Sequence, residues 1–268
     1  LFSNKSFNYK MTNLTYAGES NYKSEENIKN NLLKIFIFYS ILSLIYFTLL
    51  NISGVRLFNS LNLTMTLVSN GGFLPSDSLN DIIISNFQKI ILILALIFSM
   101  LNFYFLFNIF NRRALFKSHK EDFYLITFAT FFVLLIYFND FEALDIIISV
   151  LSSLTNSGIT LLETNNNLSL YFLLLTIVGG SLISNTSGIK LSRFYILLKI
   201  TAAEIIKLIS PNSVINKTIF NSENKINEDN IKISFLIFIS FFFSLFILSS
   251  FLILDSIGFE GSFKLSIL

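Results

Sequence analysis

The stretches FNSLNLTMTLVSNGGF (residues 58–73) and FEALDIIISVLSSLTNSG (residues 141–158) decide the fold. Each begins with a half-apolar segment, 58–68 or 141–154, and ends in a polar segment containing glycine, SNGG at 69–72 or TNSG at 155–158. A helix that crosses a bilayer needs about 20 residues. Segments this short dip into lipid and turn back. Non-helical backbone at that depth persists only where protein or a water-filled cavity surrounds it. Both stretches therefore read as a short helix followed by a re-entrant loop.

Working outward, each stretch lies between runs that carry no charge and are nearly all apolar: 35–50, 90–107, 123–138, 168–183 and 233–254. Runs at the short end of this set reach spanning length with neighbours such as Leu32 and Leu33, and Lys34 snorkels its ammonium to the interface. Of the 268 residues, 53% are hydrophobic and 13% charged. A soluble domain carries about 25% charged residues, so much of this surface faces lipid. The 32 Phe and the abundant Ile, Asn and Lys are the composition that an AT-rich coding bias would give, which would raise hydropathy somewhat, but the charge-free runs survive that discount. A net charge of +2 does not point to nucleic acid. With no Cys and one His, His119, the chain offers no disulfide, no thiolate nucleophile and no His-ligated metal centre. His119 lies in a basic loop and reads as solvated. The chain opens on Leu1 without a charged, apolar, small-residue leader, and is expected to be a truncated piece.

Basic residues set the orientation, because they collect on the cytoplasmic side. All Lys and Arg except Arg56, Lys89 and Lys264 fall in segments 1–34, 109–122 and 190–232. The alternate segments, 51–88 and 139–167, hold Asp77, Asp81, Asp140, Glu142, Asp145 and Glu163 against Arg56 alone. An acidic outer face concentrates cations, although loop solvation accounts for those carboxylates equally well. The order span, short helix, glycine segment, span occurs twice. Gly72 follows Ile35 by 37 residues, and Gly158 follows Phe123 by 35. Run 233–254 opens a further copy, with 259–268 as its short helix, and the chain stops near the glycine that this spacing expects. The expected fold is thus an all-α membrane protein of repeated helix–pore loop–helix units whose last copy is cut off near its glycine.

A cation entering a pore exchanges its water shell for protein oxygens. Successive backbone carbonyls supply them where Gly permits the turn, and Ser, Thr or Asn add side-chain oxygens. The short helix before each segment brings its partly negative C-terminal end to the site. A single such tetrad is as well explained by a turn; its recurrence at a matching offset favours the pore loop.

Segments 58–77 and 149–158 resemble the second and third pore regions of the TrkH/KtrB/HKT superfamily of potassium transporters. The run VGGSLISNTSGIKLSRFYILLK at 178–199 resembles the family's Gly-rich break in the second helix of the third repeat. The resemblance covers nearly the whole chain and implies a potassium-channel-like fold, of which this fragment lacks the first repeat and the end of the fourth. It implies a cytoplasmic connection at 1–34, a second repeat at 35–113, and a third at 114–200 with a broken second helix. A cytoplasmic connection at 201–232, containing Pro211, and the start of a fourth repeat at 233–268 follow. By the same resemblance, Ser69, Asn70, Gly71 and Gly72 form one quarter of a potassium filter, and Thr155, Asn156, Ser157 and Gly158 a second. Gly179, Gly180, Ser184, Asn185, Thr186, Ser187, Gly188 and Lys190 belong to an intramembrane gating loop, for which a plain helix end at the interface is the alternative. Lys190 and Arg193 contact the gate or a regulatory subunit, or anchor the cytoplasmic end.

The implied function is passive, gated potassium conduction by the pore-forming subunit of a Trk/Ktr-type uptake system in the bacterial inner membrane. No covalent cofactor is implied, and potassium is the transported substrate. The implied partners are the bilayer, a second copy in a homodimer, and a cytosolic nucleotide-binding regulatory subunit of the TrkA/KtrA kind. Two departures from the family pattern stand out. Ile159 replaces the aromatic expected after the third-repeat Gly, which Phe73 keeps in the second, so the filter edge near Gly158 is expected to be less buttressed. Ile183, Thr186 and Ser187 stand where Gly is expected, which points to a stiffer loop. A non-conducting membrane scaffold or sensor of the same architecture is the other reading. An intramembrane enzyme has no support, because no carboxylate pair, His cluster or nucleophile–base pair lies within the runs.

Overall fold

The computed structural model describes residues 25–76, 78–103, 105–106, 120–138, 141–161, 169–210, 218–220 and 226–267. His119, Pro211, Asp77, Asp140, Glu163 and most of segment 1–34 lie outside them. Among the described residues the regular elements are nine α-helices and one 3₁₀ turn at Leu79–Asp81. The helices are α1 (Glu25–Ile52), α2 (Leu57–Ser69), α3 (Asn86–Met100), α4 (Lys120–Tyr137), α5 (Ala143–Thr155), α6 (Ser169–Val178), α7 (Leu191–Ile209), α8 (Glu228–Leu254) and α9 (Phe259–Ile267). This is the all-α fold that the sequence implied.

Two of these, Leu33–Ile52 within α1 and Glu228–Leu254, are long and apolar enough to cross a membrane. Most of their surface stays outside the protein core: Phe36 and Phe246 are each 73% exposed. In a bilayer such side chains meet acyl chains rather than water, so the exposure carries no hydrophobic penalty.

Of the shorter helices, α5 behaves in the opposite way. In α5 the residues from Ile148 through Thr155 are all buried, together with Ile146. Helices α3, α4 and α6 pack around α5, α1 and α3 pack against α2, and α9 joins α8 and α6. The core runs through Leu63 and Leu67 of α2, Leu92 and Leu96 of α3, Ile146 and Leu154 of α5, and Leu175 of α6. Even the polar residues Ser149, Ser152, Ser153 and Thr155 of α5 are enclosed, so this helix sits inside the bundle.

Local sequence fixes the start of α3. Ser85 and Gln88 form a reciprocal capping box, and Gln88 Nε2 also donates to the Ser53 carbonyl at 3.0 Å, tying α3 to the end of α1. One turn on, Lys89 lies 2.5 Å from Asp145 and 3.0 Å from Glu142 at the start of α5. Burial pulls the Lys89 ammonium down, but its hydrogen bonds to Asp145 and Glu142 outweigh this and leave its pKa raised. Lys89 thus joins Arg56 among the cations on the acidic side, just past the limit at which the sequence reading cut that segment.

Element boundaries depart from the apolar runs in two places that matter below. Run 90–107 is not one helix: α3 ends at Met100, and Leu101 is extended at φ −80° and ψ 158°. Run 123–138 begins too late, because α4 already includes Glu121 and Asp122. The ion pair at the start of α3 yields a test. Asp145→Asn leaves a largely buried Lys89 with one exposed partner and should cost about 1.5–3 kcal/mol, read as a lower midpoint of thermal unfolding in detergent. Glu142→Gln, at a side chain 73% exposed, should cost less than about 1 kcal/mol.

Candidate functional site

Helices α2 and α5 end in the same way. Each is capped by an asparagine in the left-handed region: Asn70 at φ 54° and ψ 37°, Asn156 at φ 56° and ψ 33°. Asparagine tolerates this region better than other side-chain-bearing residues. The next amide then reaches back to close the helix, Gly71 N–H to the Thr66 carbonyl at 3.2 Å and Ser157 N–H to the Ser152 carbonyl at 3.1 Å. Gly72 and Gly158 follow, both at positive φ. The two segments also meet. A Cβ on Gly72 would lie 2.6 Å from the Ser157 carbonyl oxygen, so only glycine allows the approach.

Each segment is held from behind by hydroxyls. Thr66 Oγ1 donates to the Phe73 carbonyl. In the second segment Ser152 and Ser157 hydroxyls are 3.0 Å apart, and Thr155 Oγ1 donates to Ser157 Oγ at 3.2 Å; all three residues are buried. The aromatic expected to brace the first segment does not do so, since Phe73 is 82% exposed, whereas Ile159 is 1% exposed. The segment with the aliphatic residue is therefore the better packed of the two.

The asparagine carboxamides reach corresponding places. Asn70 Nδ2 donates to Ser99 Oγ at 2.6 Å, and Ser99 Oγ donates back to Oδ1 at 2.8 Å, in the last turn of α3. Asn156 Nδ2 donates to Ser187 Oγ at 2.6 Å, in the interruption between α6 and α7. Asn156 Oδ1 is buried and accepts no hydrogen bond among the described residues.

The interruption, 179–190, folds back on itself. Ile189 and Lys190 donate their N–H groups to the Ile177 and Val178 carbonyls at 3.0 and 2.9 Å, and Leu191 donates to Gly180 at 3.1 Å. Gly179 and Gly188, both at positive φ, permit this close passage; a Cβ on Gly179 would overlap the Ser187 carbonyl oxygen. A further Cβ on Gly180 would lie 2.6 Å from Thr186 Oγ1. Lys190 is 8% exposed. Its Nζ donates to the Ser184 hydroxyl at 3.1 Å, the Thr186 hydroxyl at 2.9 Å, and the Thr186 carbonyl. It is built into the loop rather than anchoring the chain at the cytoplasmic face. Asn185 Nδ2 crosses to the Val68 carbonyl of α2 at 2.8 Å. The loop thus touches the ends of both short helices, through Asn185 and Ser187.

Sequence reasoning missed Ser99 and the break after Met100. It also missed Glu121 and Asp122, whose carboxylates accept from the loop and from that break. No glycine or proline marks the break at Leu101, and charges beside an apolar run read as interface residues.

No protein-family model matches the chain. A relative, the uncharacterized cation transporter MJ1485 of Methanocaldococcus jannaschii, is 29% identical over 185 residues, which are 68% of this chain and 38% of that protein. Among solved structures, the chain is similar to the potassium transporter TrkH of Vibrio parahaemolyticus, with a TM-score of 0.78 and 16% identity. That match takes in 90% of this chain and 55% of TrkH. The chain spans well under half the length of the curated relative and about half that of TrkH. Its fold is that of an all-α membrane transporter. The particular transporter fold is the TrkH fold, as the resemblance read from the pore segments implied.

The two glycines yield a contrast. Gly158→Ala meets nothing within 4 Å and should cost only the left-handed strain, about 1–2 kcal/mol. Gly72→Ala, which must also displace the Ser157 carbonyl, should lower the unfolding midpoint further in the same thermal assay.

Proposed function

We propose that this chain is part of the pore-forming subunit of a Trk/Ktr-type potassium uptake system, conducting potassium passively across the bacterial inner membrane. The observation that carries the reading is the meeting of two equivalent segments. Each follows a short helix, turns through a left-handed asparagine into a glycine, and abuts the other at Gly72 and Ser157. In this reading Ser69 to Gly72 and Thr155 to Gly158 are two quarters of a selectivity filter, whose carbonyl and side-chain oxygens replace the ion's water. The unengaged Asn156 Oδ1 supports it, being a buried acceptor without a protein donor among the described residues. The helix C-termini of α2 and α5 add negative potential there.

In the same reading 35–113 and 114–200 are the second and third of four repeats, and 233–268 begins the fourth. The interruption 179–190 is the gate. It is hydrogen-bonded to the ends of both short helices, so it lies where it controls passage through them. Segments 1–34 and 201–232 face the cytosol, where a nucleotide-binding regulatory subunit docks, and two copies form a homodimer. The names of the two similar proteins, a cation transporter and a potassium transporter, agree with this reading.

The full-length protein should restore growth of uptake-deficient bacteria on micromolar potassium. Gly158→Ser should weaken the preference for potassium over sodium in flux assays. Open space around Gly158 lets that variant fold. Unaltered selectivity in folded Gly158→Ser, or no growth with the intact protein, would remove the filter assignment.

A further inference from the structure

We propose that Glu121 and Asp122, in the first turn of α4, are positioning residues that hold the 179–190 interruption in place by accepting backbone N–H groups from both helix breaks. Glu121 Oε1 accepts from Leu182 N–H at 2.9 Å, inside the interruption. Asp122 Oδ1 accepts from Asn102 N–H at 2.8 Å, at the break after α3. The two breaks are themselves joined. Ser181 N–H donates to the Met100 carbonyl at 3.0 Å, and Phe103 N–H donates to the Ile183 carbonyl at 2.9 Å. Leaving a helix frees amides that have no water to turn to, and each buried amide without an acceptor is costly. Two adjacent carboxylates meet this need in two different elements.

The arrangement goes beyond ordinary capping. An acidic side chain in a first turn usually serves its own helix and dipole, yet here both carboxylates reach other elements. Asp122 is 1% exposed, a burial that a carboxylate sustains only when hydrogen-bonded. Lys190 and Arg193 both feel the Glu121 charge, and Asp122 and Lys120 adjoin it in sequence. Lys190 grips the loop from within through Ser184 and Thr186, and Glu121 holds it from outside through Leu182. The α4 start is therefore the fixed point against which the interruption is placed. If the interruption is the gate of the proposed pore, this point sets its resting position.

Thiol labelling in the full-length protein, in membranes and a cysteine-free background, tests the anchor independently of transport. With Ile183→Cys as reporter, Glu121→Met, which keeps volume and loses the acceptor, should raise the modification rate about tenfold. Glu121→Gln retains a carbonyl oxygen and should stay near the parent rate. A Met variant that labels like the parent, or a Gln variant that labels like Met, overturns the proposal. In the unmodified protein, the Leu182 and Asn102 amides should exchange with deuterium as slowly as those of α5. Fast exchange at both overturns it even if no variant accumulates. In potassium flux, Glu121→Met should conduct more than the parent at unchanged potassium-to-sodium preference. Flux equal to the parent's, in a Met variant whose labelling has risen, limits the anchor to structure and overturns its role in gating. A parent that conducts nothing refutes the pore reading, while labelling and exchange still decide the anchor.

Discussion

Backbone amides and carbonyls inside a bilayer have no water to bind, and every departure from helix must find its partners within the protein. Among the described residues, four of the places where the chain leaves helical geometry lie together: after α2, after α5, at Leu101, and across 179–190. Each departure is answered by specific groups. The first two close through left-handed asparagines and the back-reaching amides of Gly71 and Ser157. The other two lean on each other and on the α4 carboxylates. Because the partners of one departure lie in another, the four form one connected set. The helices around them serve as its frame.

The frame explains why α5 is so deeply buried. A helix that ends inside the protein leaves its last carbonyls in a place of low dielectric, where their partial charge is poorly screened. Surrounding that end with hydroxyls, from Ser152, Thr155 and Ser157, supplies dipoles that can orient without bringing in net charge. The same logic places Lys190, a full charge, only where four oxygens of Ser184 and Thr186 surround it.

Much of this was legible in the sequence, for a physical reason. Apolar runs without charge announce helices in lipid, and Asn-Gly or Asn-Ser-Gly after a short apolar helix announces a left-handed exit, since both signals are local. The fold and the two glycine segments were accessible in that way. The break after Met100 was not, because residues Ser99 to Asn102 contain no breaker and the extended Leu101 is imposed by contacts with 181–183. Glu121 and Asp122 were lost at a boundary: a run counted by its lack of charge must end where a charge begins, even when the helix does not. Phe73 and Ile159 show the limit of pattern matching. Which one packs depends on neighbours in space, and the smaller residue is the one enclosed.

The ring of Phe220 is stacked between Tyr124 of α4 and Tyr195 of α7, with centroids 5.0 and 4.4 Å away. Lys199 covers Tyr195 and donates to the Thr218 carbonyl beside it. This aromatic rivet fastens residues 218–220 to α4 and α7. One ring is thereby shared by two helices, so whatever loosens Phe220 also loosens the spacing of α4 against α7.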